Sequence, residues 1–205
     1  MPKRSRLQPE RRRAQLLACA LTVFQRRGLG RAGHAEIARE AEVSVATVFG
    51  YFTTRPALVD AVLDEVERFF EDIARLADRR ERPVPQAILD VALAFSASIE
   101  SHPDHARVYL AWSTAIGGES WERYLKHQTR LLRIFAGAVR RGQREGSIPS
   151  TTHAEEAALL LVSSAQMIAQ LKFTRRAPAK VRRFVVDMVR GAIGTDPVDA
   201  APSSA

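Results

Sequence analysis

Residues 34 to 52 read HAEIAREAEVSVATVFGYF, and the spacing of apolar, small and capping residues in this stretch decides the fold. Ile37, Ala41, Val43, Val48 and Phe52 recur at intervals that place them on the inner faces of two short helices. Ala38 is small where the two helices must approach closely. Ser44 opens the second helix as a good N-cap, because its hydroxyl oxygen accepts an orphan N–H of the first turn. That phasing leaves Val45, Ala46, Thr47, Gly50 and Tyr51 pointing outward. Small apolar groups of this kind touch thymine methyls in a major groove, and the hydroxyls of Thr47 and Tyr51 can bond phosphate oxygens. The arrangement reads as a helix-turn-helix. A three-helix bundle with an ordinary turn would show similar apolar spacing, so both readings stand at this level.

Outward from the motif, apolar residues recur at three and four almost everywhere, and no segment shows the two-residue alternation of strands. The expectation is an all-α chain of about nine helices, with an N-terminal three-helix helix-turn-helix domain and a larger helical ligand-binding and dimerisation domain. The first helix opens at Pro9 and Glu10, buries Leu17, Leu21 and Phe24, and stops at Gly28. The fourth follows Thr54, buries Leu58, Val62, Val66, Phe69 and Ile73, and runs to about Arg80 as a connector. Further helices are expected at about 84–101, from 103 to the Gly117-Gly118 pair, 119–144, 152–173 behind a capping box of Thr152 and Glu155, and 178–193. Domain boundaries follow at 1–56 and 57–194. Ala, Pro and Ser dominate 195–205, which predicts a disordered tail.

Charge is distributed unevenly. The chain has 205 residues and a net charge of +8. Residues 1–56 hold 11 Lys or Arg against 4 Asp or Glu, whereas the remainder holds 20 against 19. A basic module on a nearly neutral body suits a polyanion, because neutralising phosphates releases condensed counterions. A solvated basic face is the plainer reading of the same charges. One cysteine, Cys19, excludes an intramolecular disulfide, and no apolar run is long enough for a membrane span, so a cytoplasmic protein without membrane partners is expected. The five histidines lack an accompanying ligand cluster, so no metal is expected. No phosphate loop, dinucleotide fingerprint or nucleophile elbow is present, so neither a cofactor nor enzyme activity is expected.

The stretch IAREAEVSVATVFGYFTTRPALV resembles the signature of TetR-family regulators, in Ile37-Ala38, Val43-Ser44, Thr47, the aromatics Phe49, Tyr51 and Phe52, and the Arg55 and Leu58 that follow. RRGLGRAGHAEIA and VSVATVFGYFTTRPALVDAVL are similar, more narrowly, to the quorum-sensing master regulators of the LuxR/HapR type. The resemblance implies a homodimeric repressor or global regulator that binds a double-stranded, pseudo-palindromic operator. It also implies that Arg4 and Arg6 match a minor-groove arm. Three departures are notable. Glu42 stands at a turn position that often holds glycine, Phe49 replaces a frequent tyrosine, and Gly50 stands where the LuxR/HapR type has a base-contacting asparagine.

The DNA-contacting set is therefore Arg4, Arg6, Ser44, Val45, Ala46, Thr47, Gly50, Tyr51 and Arg55. In the larger domain, Phe70, Phe95, Ile99, Tyr109, Trp112, Ile116, Phe135 and Met167 are either plain core or the lining of a pocket for a small hydrophobic ligand, with Trp112 in the wall. Dimerisation is expected through the last two helices, on stripes of Ala157, Ala158, Leu161, Ala165 and Ile168 and of Val181, Phe184, Val185 and Met188. The rival is an all-helical small-molecule-binding protein or enzyme without specific DNA binding.

Overall fold

The computed structural model describes residues 8–196. Those residues form nine α-helices and no strand: α1 Pro9–Arg27, α2 His34–Glu40, α3 Val45–Tyr51, α4 Arg55–Ala74, α5 Val84–Ser101, α6 Pro103–Ser113, α7 Trp121–Arg144, α8 Ala154–Phe173 and α9 Pro178–Ile193. The expected minor-groove residues Arg4 and Arg6, and the tail from 197 onward, lie outside the described residues. Thr195 and Asp196 follow α9 half-buried, with Asp196 held by Arg190 at 2.5 Å.

Helices α1 to α3 form a small head. Leu16, Ala20 and Phe24 of α1 meet Ile37, Val48 and Phe52, all nearly solvent-free. Gly28 ends α1 at φ 78, a left-handed value that glycine adopts without a Cβ clash. Helix α4 begins on a cap in which Thr54 accepts the N–H of Ala57, and it carries the head into the body. It ends at Ala74, where a 3-10 turn over Arg75–Asp78 tightens the chain before the Pro83 and Pro85 break. Phe69 and Ile73 are only half-buried, and Phe70 takes the buried position between them.

The body packs α5 against α4, α7, α8 and α9. Helix α7 begins at Trp121, two residues later than expected, with Ser120 as its N-cap, whose carbonyl accepts both the Tyr124 N–H at 3.0 Å and Trp112 Nε1 at 2.9 Å. Gly142 permits the closest approach, since a Cβ there would lie 2.8 Å from Ile148 Cδ1 and 3.1 Å from Val84 Cβ. The expected capping box is not formed. His153 is the N-cap of α8 without a side-chain bond, and Thr152 Oγ1 instead donates to the Ile193 carbonyl at 3.1 Å, joining the start of α8 to the end of α9.

The expected dimer stripe on α8 is turned inward. Ala157, Ala158, Leu161 and Ile168 are at most 6% exposed, because they pack on the chain's own core. On α9, Val181 and Val185 are buried likewise. The apolar residues that α8 shows to the outside are Leu159, Leu160 and Met167, at 50%, 55% and 47% exposure.

Candidate nucleic-acid interface

The head presents α3 on a rigid mount. Ser44 Oγ accepts the Thr47 N–H at 3.1 Å and lies 2.8 Å from Thr47 Oγ1, so the N-terminal turn is capped and the Thr47 hydroxyl is oriented in one arrangement. Glu42 adopts φ 52, the left-handed turn its position implied, and the Val43 N–H closes the turn on the Ala38 carbonyl at 2.9 Å. With Val48 and Phe52 buried, Val45, Ala46, Phe49 and Gly50 are exposed, and Thr47 and Tyr51 are half-buried at the edges of the same face. A Cβ at Gly50 would meet nothing within 4 Å, so no steric demand of the fold requires glycine there.

Two residues behave differently from the sequence reading. Arg55 turns inward: its Nη2 donates to the Leu29 carbonyl at 2.5 Å and its Nε to the Ala32 carbonyl at 3.3 Å. It fastens the α1–α2 loop to α4, because three main-chain elements converge there. His34 was missed. It is buried, bonds the Phe52 carbonyl through Nε2 at 2.7 Å, and stacks on Phe49 with centroids 4.0 Å apart. The missing tyrosine at position 49 is thus a phenylalanine that roofs a histidine, and only the proximity of the two helices could have revealed it.

A second feature lies in the body. Phe70, Ile73 and Ala74 of α4, Phe95 of α5, Tyr109 of α6 and Phe135 of α7 line a partly open apolar cavity of about 60 Å³, its wall continued by residues of α8 and by Met188. Of the expected lining, Phe70, Phe95, Tyr109 and Phe135 are there, while Ile99, Trp112, Ile116 and Met167 are not. Trp112 is wholly buried behind the wall, its indole edged against Tyr124 and stacked on His127. Ile99 is buried elsewhere in the core, and Ile116 is 78% exposed in the α6–α7 loop. Met167 faces out because α8 is rotated relative to the expected stripe. Burial pushes the Tyr109 phenol far above its usual range, with the Tyr124 hydroxyl adding to the effect, so it stays a neutral polar group in this lining.

On the other face of α4, Asp60, Asp64, Glu67 and Glu71 form a row that meets α7. Arg123 reaches Asp60 at 3.0 Å, Asp64 at 2.5 Å and Glu67 at 2.6 Å, and Arg130 reaches Glu67 at 2.5 Å and Glu71 at 2.6 Å. His127 sits between the two arginines, fully buried, with Nδ1 3.3 Å from Glu71. Burial drives its pKa down in spite of Glu67 and Glu71. Burial alone would raise Glu71, but the Arg130 hydrogen bond and charge hold it below the usual carboxylate range. Donor atoms of Glu67, Glu71 and His127 lie within 4.8 Å of one another, yet both carboxylates are already neutralised by guanidinium groups.

Residues 16–62 match the sequence model of a family described as bacterial regulatory proteins, tetR family. The chain is 41% identical over 147 residues to the HTH-type transcriptional regulator LuxR of Vibrio harveyi, covering 68% of this chain and 70% of that protein. Among solved structures, the fold is similar to the TetR-family regulator CifR in complex with a 26-bp operator (TM-score 0.73, 18% identity, 86% of this chain and 94% of that one). It is similar also to SmeT in its complex with triclosan (TM-score 0.73, 16% identity, 94% and 95%).

Proposed function

The chain belongs to the TetR family and is a DNA-binding transcriptional regulator, and from that premise we propose that it acts as a cytoplasmic homodimer on a pseudo-palindromic operator, modulated by a small apolar ligand. The observation that carries this is the face of α3. A capped helix showing Val45, Ala46, Phe49 and Gly50 to solvent beside two hydroxyl-bearing residues has the shape and chemistry to lie in a major groove. Residues 1–56 form the reading head in this proposal, with Ser44, Val45, Ala46, Thr47, Gly50 and Tyr51 at the DNA and Arg4 and Arg6 in the flanking minor groove. Residues 57–194 hold the ligand and the partner subunit. Family membership sets aside the rival of a helical enzyme or carrier. No helix among the described residues is long and apolar enough to cross a membrane.

Dimerisation through α8 and α9 is supported by the outward Leu159, Leu160 and Met167, which leave α8 apolar on both sides. A helix of that kind is covered on both faces in its working state. Ligand control is supported by the cavity, whose wall includes the helix that carries the head.

Genomic fragments selected by the full-length protein, followed by titration of the selected duplex across a salt series, test the reading. Ala46→Asp places a carboxylate against the groove and abolishes specific binding. Thr47→Ala weakens specific and nonspecific duplexes alike and leaves the salt slope unchanged, because a neutral hydroxyl on a phosphate releases no counterion. Negligible DNA affinity of the unaltered protein at low salt overturns the reading. Selection of a few fragments, with release by apolar compounds, marks a locally acting repressor. Selection of many, with no release, marks a global regulator of the quorum-sensing type controlled by abundance.

A further inference from the structure

The near-neutral total charge of the body conceals a cluster. Residues 172–183, KFTRRAPAKVRR, hold six Lys or Arg and no acid. Elsewhere in the body arginines are widely paired, as at Arg82, Arg123, Arg130, Arg140 and Arg190. Here only Lys172 has a carboxylate, Glu100 at 2.6 Å. Arg175, Arg176, Lys180, Arg182 and Arg183 are exposed and form no ion pair among the described residues. Arg175 also holds φ 53 at the end of α8, so arginine occupies a backbone conformation that favours glycine.

This elbow lies on the head side of the body. Lys172 is tied to Glu100 in the last turn of α5, and Arg107 of α6 covers the Phe173 ring at 5.0 Å while its Nη1 donates to Gln25 Oε1 of α1 at 3.4 Å. The opposite end of α9, by contrast, is joined to the start of α8 through Thr152, at the far end of the α8–α9 hairpin.

We propose that the α8–α9 elbow is a second DNA-contacting surface, which meets duplex phosphates between the two half-sites. The proposal rests on the dimer through α8 and α9, since that contact brings both elbows to the two-fold axis between the heads. Five unpaired cations held together repel one another, and a row of phosphates relieves that repulsion while releasing counterions. Duplex DNA is the polyanion the heads already hold on this side.

Arg175→Gln, Arg176→Gln and Lys180→Gln combined, in the full-length protein, remove three of the five unpaired cations, two from the turn and one from the first turn of α9, without touching α3. Binding is read by fluorescence anisotropy on a mixed-sequence duplex of about 40 base pairs over about 50 to 300 mM salt, with sedimentation on the same samples. The expected result is a dimer whose slope of log affinity against log salt is smaller by about two, with roughly hundredfold weaker binding near 100 mM. A dimeric variant with the parent's slope and affinity overturns the proposal and turns the patch toward an acidic protein. A variant that becomes monomeric overturns it too, because the cations then serve the subunit contact. A monomeric parent protein fails the dimer reading itself, and this inference with it.

Discussion

Ser44 secures the first turn of α3 with one hydroxyl, which serves both the Thr47 amide and the Thr47 side chain. Ser44→Ala therefore lowers stability by about 1 kcal/mol in urea unfolding, as loss of an N-cap does, and frees the Thr47 hydroxyl that the DNA reading uses. The left-handed turn at Glu42 was legible beforehand, because the motif specifies the backbone there whatever residue fills it. The turning inward of Arg55 was not legible, since its partners are carbonyls of Leu29 and Ala32, which no side-chain pattern announces. Two histidines, His127 wholly buried and His105 half-buried, make the fold acid-sensitive. Burial lowers the pKa of His127, and it lowers that of His105 despite the nearby Glu65. The folded state thus prefers both rings neutral, while the unfolded chain takes up protons near pH 6.5. Stability is intact above about pH 6.5 and falls as pH drops below it, by at most about 1.4 kcal/mol per pH unit for each ring. Urea midpoints at pH 7.5 and 5.5 should show this fall, and His127→Gln should lessen it.

Helix α8 shows most clearly what helical periodicity can and cannot specify. Its existence, length and start near residue 154 followed from the pattern, but its sequence is apolar on two faces, so the stripe of Ala157, Leu161 and Ile168 could be assigned to either side. Only the packing of α7 and α9 chose the inner one. The Thr152 capping box failed because α8 takes His153 as its N-cap, one residue later, and tertiary packing places the Thr152 hydroxyl at the Ile193 carbonyl. Close approach at Gly142 makes a sharp prediction. Gly142→Ala drives a methyl into Ile148 and Val84, and the overpacking should cost about 1 to 3 kcal/mol in urea unfolding. A change of less than a few tenths of a kcal/mol would show that α7 slides freely there. The α4–α7 ladder is partly exposed, so its worth is smaller and screened. Arg123→Gln should cost about 1 kcal/mol at low salt and markedly less near 0.5 M salt, where surface pairs are damped.

Across the whole molecule, the outward Leu159, Leu160 and Met167 connect folding to assembly. Leu160→Arg sets a cation into the proposed subunit contact and should halve the mass seen in sedimentation at micromolar concentration. Operator affinity should fall with it, because two heads on one rigid body bind far more tightly than one. An unchanged mass would place the contact elsewhere. The cavity then acquires a meaning beyond its lining. At about 60 Å³ it admits a guest of very few carbons, and two of its walls, α4 and α7, are clamped together by Arg123 and Arg130 on the far side. A guest that fits without displacing them has equal affinity for both head spacings and so transmits nothing. A longer one is admitted only by prising α4 away. In a series of straight-chain alcohols of increasing length, binding should therefore begin before any loss of DNA affinity, and release should set in abruptly at one chain length. On the proposed ligand control, the cavity is a gauge that passes short guests in silence and answers to length ahead of chemical identity.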